Sequence, residues 1–151
     1  MHNKAEGVIS YTSLMYIPEM RPFDLFHVDR SSKVKLYANR VFITDTLDNV
    51  LPRWLRFING VLDTSDLNLN VSREMLQHSP ALRRISKAVK KKIITELKKQ
   101  KDKDTEVFNK VWKEFGAVLK EGIYEDPDHK IDLLGLSKFK SSKSEDEKFL
   151  P

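Results

Sequence analysis

Two β-rich stretches separated by an apolar helical stripe constrain this chain more than anything else in it. Residues 33–45, KVKLYANRVFITD, are rich in the β-branched and aromatic side chains of a strand. Leu51, Trp54, Leu55 and Ile58 then recur at helical spacing, and Gly60 offers the left-handed conformation that ends a helix. Residues 61–63 return as a short strand. Two strands joined through such a helix imply a βαβ crossover, hence an α/β layer in which part of the sheet is parallel. Residues 11–17 add a strand closed by Pro18, which supplies no ladder donor, and PEMRPFDLF is a loop. Within 33–45 the alternation breaks at Asn39 and Arg40, as a bulge or two-sided burial would produce; burial is the expectation.

Beyond Ser72 the pattern turns helical. Ser79-Pro80 is a start signal, a capping hydroxyl followed by a proline in the first turn. Leu82, Ile85, Val89, Ile93 and Leu97 then form one apolar stripe. Residues 98–104 are polar and read as a turn. Val107, Phe108, Val111, Trp112, Phe115, Val118 and Leu119 make a second, bulkier stripe ending at Gly122, a core face rather than a cofactor box. Asp126-Pro127 opens a third helix with Ile131, Leu133, Leu134 and Leu136. The remainder, rich in lysine, serine and acid, reads as a mobile tail.

The stretch 67–77, LNLNVSREMLQ, carries the one candidate for chemistry. Leu67, Leu69 and Val71 alternate with Asn68 and Asn70, an extended period that Ser72 stops as a helix N-cap. Arg73 then occupies the first helical position and Gln77 the same face four residues on. A guanidinium beside the N–H groups of a helix start suits an anion such as a γ-phosphate. An ordinary capped helix with solvated Arg73 and Gln77 satisfies the same spacing.

The chain's 151 residues, 40% of them hydrophobic, can bury one sizeable core. There is no cysteine, which excludes disulfides and thiol nucleophiles and is compatible with a reducing cytosol. No signal peptide or membrane span is legible, so the expectation is a soluble, cytoplasmic protein. Phosphate loops, GxGxxG, HExxH and GxSxG are all missing, and the four histidines lack metal-ligand spacing, so an autonomous hydrolase and a metal site are not expected. Asp63 and Asp66 could bind a cation, but carboxylates in a turn more often serve a helix start. Net charge is +5, yet residues 83–103 hold ten basic side chains against two acidic ones. That run is read as the solvated face of an amphipathic helix. The alternative is a basic-helix binding module for an acidic protein partner or nucleic acid, although no aromatic residues accompany the lysines.

Four strings, YTSLMYIPEMRPFDLF, KVKLYANRVFITD, LRFINGVLDTSDLNLNV and SREMLQ, followed later by VWKEFGAVLKEGIYED, closely resemble in this order the middle domain of heat-shock protein 90 family chaperones of the bacterial HtpG type. The resemblance implies a partial αβα sandwich over residues 1–80, a helical connector over 81–137 and the charged tail over 138–151. It also implies a fragment of an ATP-dependent chaperone. The ATP-binding N-terminal domain, the first strands of the middle domain and the C-terminal dimerisation domain would be its partners in the same polypeptide, and the sheet begun at 11–17 should lack neighbours and expose an edge. The complete protein would be a homodimer acting on unfolded client proteins, with ATP and Mg2+ held by the N-terminal domain and none bound by this fragment. By the motif, the arginine that meets the γ-phosphate is Arg73, with Gln77 and Asn70 beside it. The RVFI motif makes Phe42 an interdomain docking contact, for which plain core burial is the competing reading. Asn39 stands where the family has a basic residue or glutamine.

Overall fold

The computed structural model describes residues 1–5, 10–30, 32–45, 50–67 and 72–149, except the side chains of Ala5 and Arg73. Five strands form a mixed sheet: β1 (His2–Ala5), β2 (Tyr11–Tyr16), β3 (Lys33–Ala38), β4 (Val41–Thr44) and β5 (Asn59–Thr64), ordered β1-β2-β5-β3-β4. β3 runs parallel to β5, from Lys33 opposite Asn59 to Ala38 opposite Thr64, and the other pairs are antiparallel. The parallel crossover is thus present. β2 does not lack neighbours: β1 and β5 flank it, because His2–Ala5 folds back along Tyr11–Leu14.

The break in alternation at Asn39 and Arg40 is neither a bulge nor two-sided burial. It is a hairpin turn between β3 and β4, with φ of 48° at Asn39 and 65° at Arg40. Positive φ at both central residues is the requirement of a two-residue type I′ turn. A bulky residue there is strained, so Arg40→Gly should raise stability by about 0.5–1 kcal/mol, measured by denaturant unfolding.

The crossover differs from the expected helix in a similar way. Only Arg53–Leu55 makes a 3₁₀ turn, entered through Pro52. Trp54, Leu55, Arg56, Phe57 and Ile58 are all buried, so the segment is embedded on every side rather than along one stripe, and tertiary contacts set its path. Gly60 does not end a helix. It lies within β5, where a Cβ would stand 2.3 Å from the Leu14 carbonyl oxygen, so the close approach of β2 demands glycine.

Alternation along the strands sends Met15, Val34, Leu36 and Leu62 into the core, while Leu14, Tyr16 and Val61 remain on the exposed face. The helices cover the first face. α1 (Arg73–Gln77) is short; α2 (Pro80–Lys103) and α3 (Thr105–Glu125) are long; α4 (Lys130–Leu136) follows a 3₁₀ turn at Pro127–His129. Ser79 caps α2 as expected, accepting from Leu82 N–H at 3.3 Å, and Leu82, Ile85, Val89, Ile93 and Leu97 form its buried stripe. Residues 98–103 continue the helix instead of turning; Asp104 alone breaks it, its carboxylate accepting from Val107 N–H to cap α3. Ile131 is exposed, and Leu133 and Leu136 carry the buried face of α4.

The core runs continuously across residue 80. Phe57 stacks on Phe115 with ring centroids 4.7 Å apart, and Arg56, almost fully buried, grips Glu121 in a two-pronged pair at 2.6 and 2.9 Å. Gly122 lies so close to Trp54 that a Cβ would stand 2.7 Å from its ring. Instead of a mobile tail, β6 (Lys138–Ser141) and β7 (Ser144–Phe149) pair as an antiparallel hairpin. Polar and cation–π contacts hold it: Trp112 Nε1 donates to Glu147 at 2.8 Å, and Phe149 packs beside Phe108 under the Lys101 and Lys138 ammonium groups. A reading based on apolar content overlooks such an anchor.

Asp126 ties the helices together. Its buried carboxylate meets Lys90 at 2.8 Å and His129 at 3.2 Å. Burial opposes its ionisation, but the hydrogen bonds and charges of Lys90 and His129 outweigh that and hold its carboxyl below the ordinary carboxylate range. A carboxyl lowered in the folded state contributes stability above its unfolded pKa and loses it as pH falls through the folded one. Asp126→Asn should therefore be less stable near neutrality and show a shallower fall in Tm below about pH 5, read by thermal unfolding across pH.

Candidate functional site at the end of the parallel strands

The C-terminal ends of β3 and β5 converge where the chain leaves the sheet for α1. Ser72, extended at φ −75° and ψ 159°, accepts from Met75 N–H at 3.2 Å, and its carbonyl accepts from Leu76 N–H at 3.0 Å. The expected cap is present. It sets Arg73 as the first residue of α1 and Gln77 as the last. Among the described side chains of α1, Leu76 anchors the turn in the core, and Glu74, Met75 and Gln77 are exposed. Gln77 therefore faces outward from the helix whose first turn holds Arg73. Asn70 and the rest of the strand expected at 68–71 lie outside the described residues, as does the Arg73 side chain.

Phe42 sits on the edge strand β4, half exposed, with its ring edge-on to Tyr37 at 5.7 Å. Plain core burial is excluded. Its hairpin is tied to the end of β5: Asn39 N–H donates to the Thr64 carbonyl at 3.1 Å, and Arg40 N–H to Asp63 Oδ1 at 3.1 Å. On the opposite side, Ser10 N–H donates to Asp66 Oδ2 at 2.7 Å. Asp63 and Asp66 thus accept from backbone N–H groups of the β3–β4 turn and of the residue before β2, rather than from a helix start. No local signal could have found these partners, which stand 23 and 56 residues away. Among the described residues, no group of three or more His, Asp or Glu side chains is placed to hold a metal ion.

An open polar cleft of about 500 Å³ lies between these braces, lined by Lys4, Ser10, Tyr11, Asn39, Arg40 and Asp63 among others. Burial pushes the Tyr11 hydroxyl above its ordinary range, and Asn3 donates to it at 2.9 Å. Lys4, Arg40 and Asp63 give the cleft charges of both signs.

The basic run is partly absorbed by the fold. Lys90 pairs with Asp126, Lys92 with Glu96 at 3.0 Å, Lys98 with Asp132, and Lys101 Nζ donates to the Gly135 carbonyl at 2.6 Å. Arg83, Arg84 and Lys87 remain exposed. No described helix is long and apolar enough to cross a membrane.

The model of the Hsp90 protein family matches residues 1–150. The chain belongs to the Hsp90 family. Its Hsp90 relatives include Chaperone protein HtpG of Roseobacter denitrificans, 50% identical over 146 residues, and that of Paramagnetospirillum magneticum, 52% identical over 142 residues. These matches cover 97% and 94% of this chain but 24% and 23% of the relatives, so the chain spans about a quarter of their length. Among solved structures, the middle domain of a Plasmodium falciparum heat shock protein superposes with a TM-score of 0.83 at 29% identity, over 99% of this chain and 58% of that one. The α/β class and mixed sheet are those of the Hsp90 middle domain.

Proposed function

We propose that this chain is the part of a chaperone's middle domain that presents Arg73 to the γ-phosphate of ATP held by a separate N-terminal domain. The observation carrying this reading is the Ser72-capped start of α1, which sets Arg73 at the first helical position. The helix start favours an anion there, and a guanidinium adds paired donors and a permanent charge. Mg2+ and ATP, bound in the complete protein, supply the transferable phosphoryl group. Arg73 meets the charge that develops on it, and Asn70 and Gln77 complete the polar surround. Exposed Phe42, on the hairpin braced to the same strand end, docks the N-terminal domain. The complete protein is then a cytoplasmic homodimer, joined by a C-terminal domain, that hydrolyses ATP while assisting unfolded clients.

Calorimetric titration of this chain with Mg2+ and ATP should give no saturable isotherm, since the sequence carries no nucleotide-cradling motif. Grafted in place of the matching 146 residues of the Roseobacter denitrificans chaperone, the chain should support ATP hydrolysis. A micromolar stoichiometric isotherm, or a folded graft without hydrolysis, would reject the reading. Tight duplex binding with a steep salt slope would instead favour the basic-helix module.

A further inference from the structure

Arg30 and Ser32 are buried, at 6% and 7% exposure, yet the Arg30 Nε–H and the Ser32 hydroxyl have no hydrogen-bonding partner among the described residues. A buried donor left unmet costs free energy, and more so when it belongs to a charged group. Both residues line one cavity of about 440 Å³, together with Val28, Leu51, Pro52 and Arg53, and a volume of that order is typical of small-ligand sites. Ser32 stands one residue before β3, so the cavity lies at the start of the parallel strands, away from the end that leads to α1.

Two guanidinium groups meet there. Arg53 donates through Nη1 to the Val28 carbonyl at 3.1 Å and to the Arg30 carbonyl at 3.4 Å, so backbone oxygens rather than a carboxylate hold it. Arg30 shares Nη1 with Asp24 in a long contact of 3.4 Å, which leaves its Nε–H unused. Asp29 also lines the cavity, but its side chain is 89% exposed and lies 3.7 Å from His27, where solvent screens its charge. An adjoining groove shares Leu51, Pro52 and Arg53 and adds exposed Arg83 and Lys87, which raise the positive potential at the mouth.

We propose that this cavity is a binding site for a phosphate group, free or esterified. A tetrahedral oxyanion presents several acceptors at once, so one phosphate can take the Arg30 Nε–H, the Ser32 hydroxyl and the remaining donors of Arg53 together. A water molecule could meet the two orphaned donors but would leave the positive charge of Arg53 unanswered.

The test titrates the isotope-labelled chain with sodium phosphate at constant ionic strength, sodium chloride making up the balance, and follows the arginine Nε–H and backbone signals. The Arg30 and Arg53 Nε–H signals should shift saturably, with half-saturation near 1 mM or below, on the order expected of two or three charge-assisted hydrogen bonds. Ser32→Ala deletes one donor and should weaken binding by about 10-fold or more. Because that hydroxyl is unpaired without the ligand, the same variant should be at least as stable as the parent chain in chloride alone, by thermal unfolding. Glycerol phosphate titrated in parallel separates the two sources: tighter binding assigns the esterified group, weaker binding the free ion, and either upholds the site. Arg30 and Ser32 signals that do not move would mean that water alone meets their donors. Shifts that rise without saturating, or that are confined to Arg83 and Lys87, would place the anion on the open surface. Either result rejects the proposal, as would a Ser32→Ala chain that binds phosphate as tightly as its parent.

Discussion

Arg73→Ala in the complete chaperone is expected to lower kcat by about 10²-fold or more and to leave nucleotide affinity nearly intact. The magnitude follows from removing one preorganised donor aimed at developing charge, which costs on the order of 3–4 kcal/mol of transition-state stabilisation. The split between kcat and affinity follows from the division of labour. If another domain holds the nucleotide and Arg73 meets the γ-phosphate only when that domain has closed, the contact belongs to the transition state and not to the ground-state complex. Gln77→Ala should lose less, because a neutral amide makes a weaker hydrogen bond than a guanidinium. Neither change should unfold the protein, since Ser72 supplies the cap, Leu76 the anchor, and Gln77 is exposed. Single-turnover hydrolysis, nucleotide binding and thermal unfolding measured on the same variant decide the matter. Full ATPase activity in folded Arg73→Ala protein would rule out the assignment, and unfolding would return Arg73 to an ordinary structural role.

The second large effect lies in the core. Phe115→Ala should destabilise this chain by about 3–5 kcal/mol, because it removes a fully buried ring and leaves a cavity against Phe57. In a chain of this size the loss corresponds to a fall in Tm on the order of 10 °C. Its reach matters as much as its size. Phe115 belongs to α3 and Phe57 to the crossover that leads into β5, and Arg56–Glu121 and Trp54–Gly122 join the same two segments. Sheet and helices should therefore unfold together. Far-ultraviolet circular dichroism and the fluorescence of Trp54 and Trp112 should report one coincident transition that moves as a whole in Phe115→Ala. Two separated transitions, only one of them displaced, would show the helices to be an independent unit beyond residue 80.

The features legible in the sequence are those whose causes lie within a few residues. Ser72 and Ser79 cap helices because a hydroxyl needs only an N–H three positions on, and both bonds form. The stripes of α2 and α3 emerge because burying one helical face needs only the right period, and the strand–crossover–strand order made part of the sheet parallel. The family motifs around Arg73 are equally local. Tertiary structure alone decided the rest. Asn39 and Arg40 show a broken alternation whether they bulge, bury or turn, and pairing of β4 with β3 selected the turn. Gly60 matches a helix end as well as a strand crossing, until the Leu14 carbonyl stands where its Cβ would be. The 138–149 hairpin is held by an indole, lysines and Phe149 meeting across space. Asp63 and Asp66 took their roles from Arg40 and Ser10, far away in the chain. Periodicity and capping register what one segment can do for itself, whereas a hydrogen bond or close approach between distant segments exists only once the chain has brought them together.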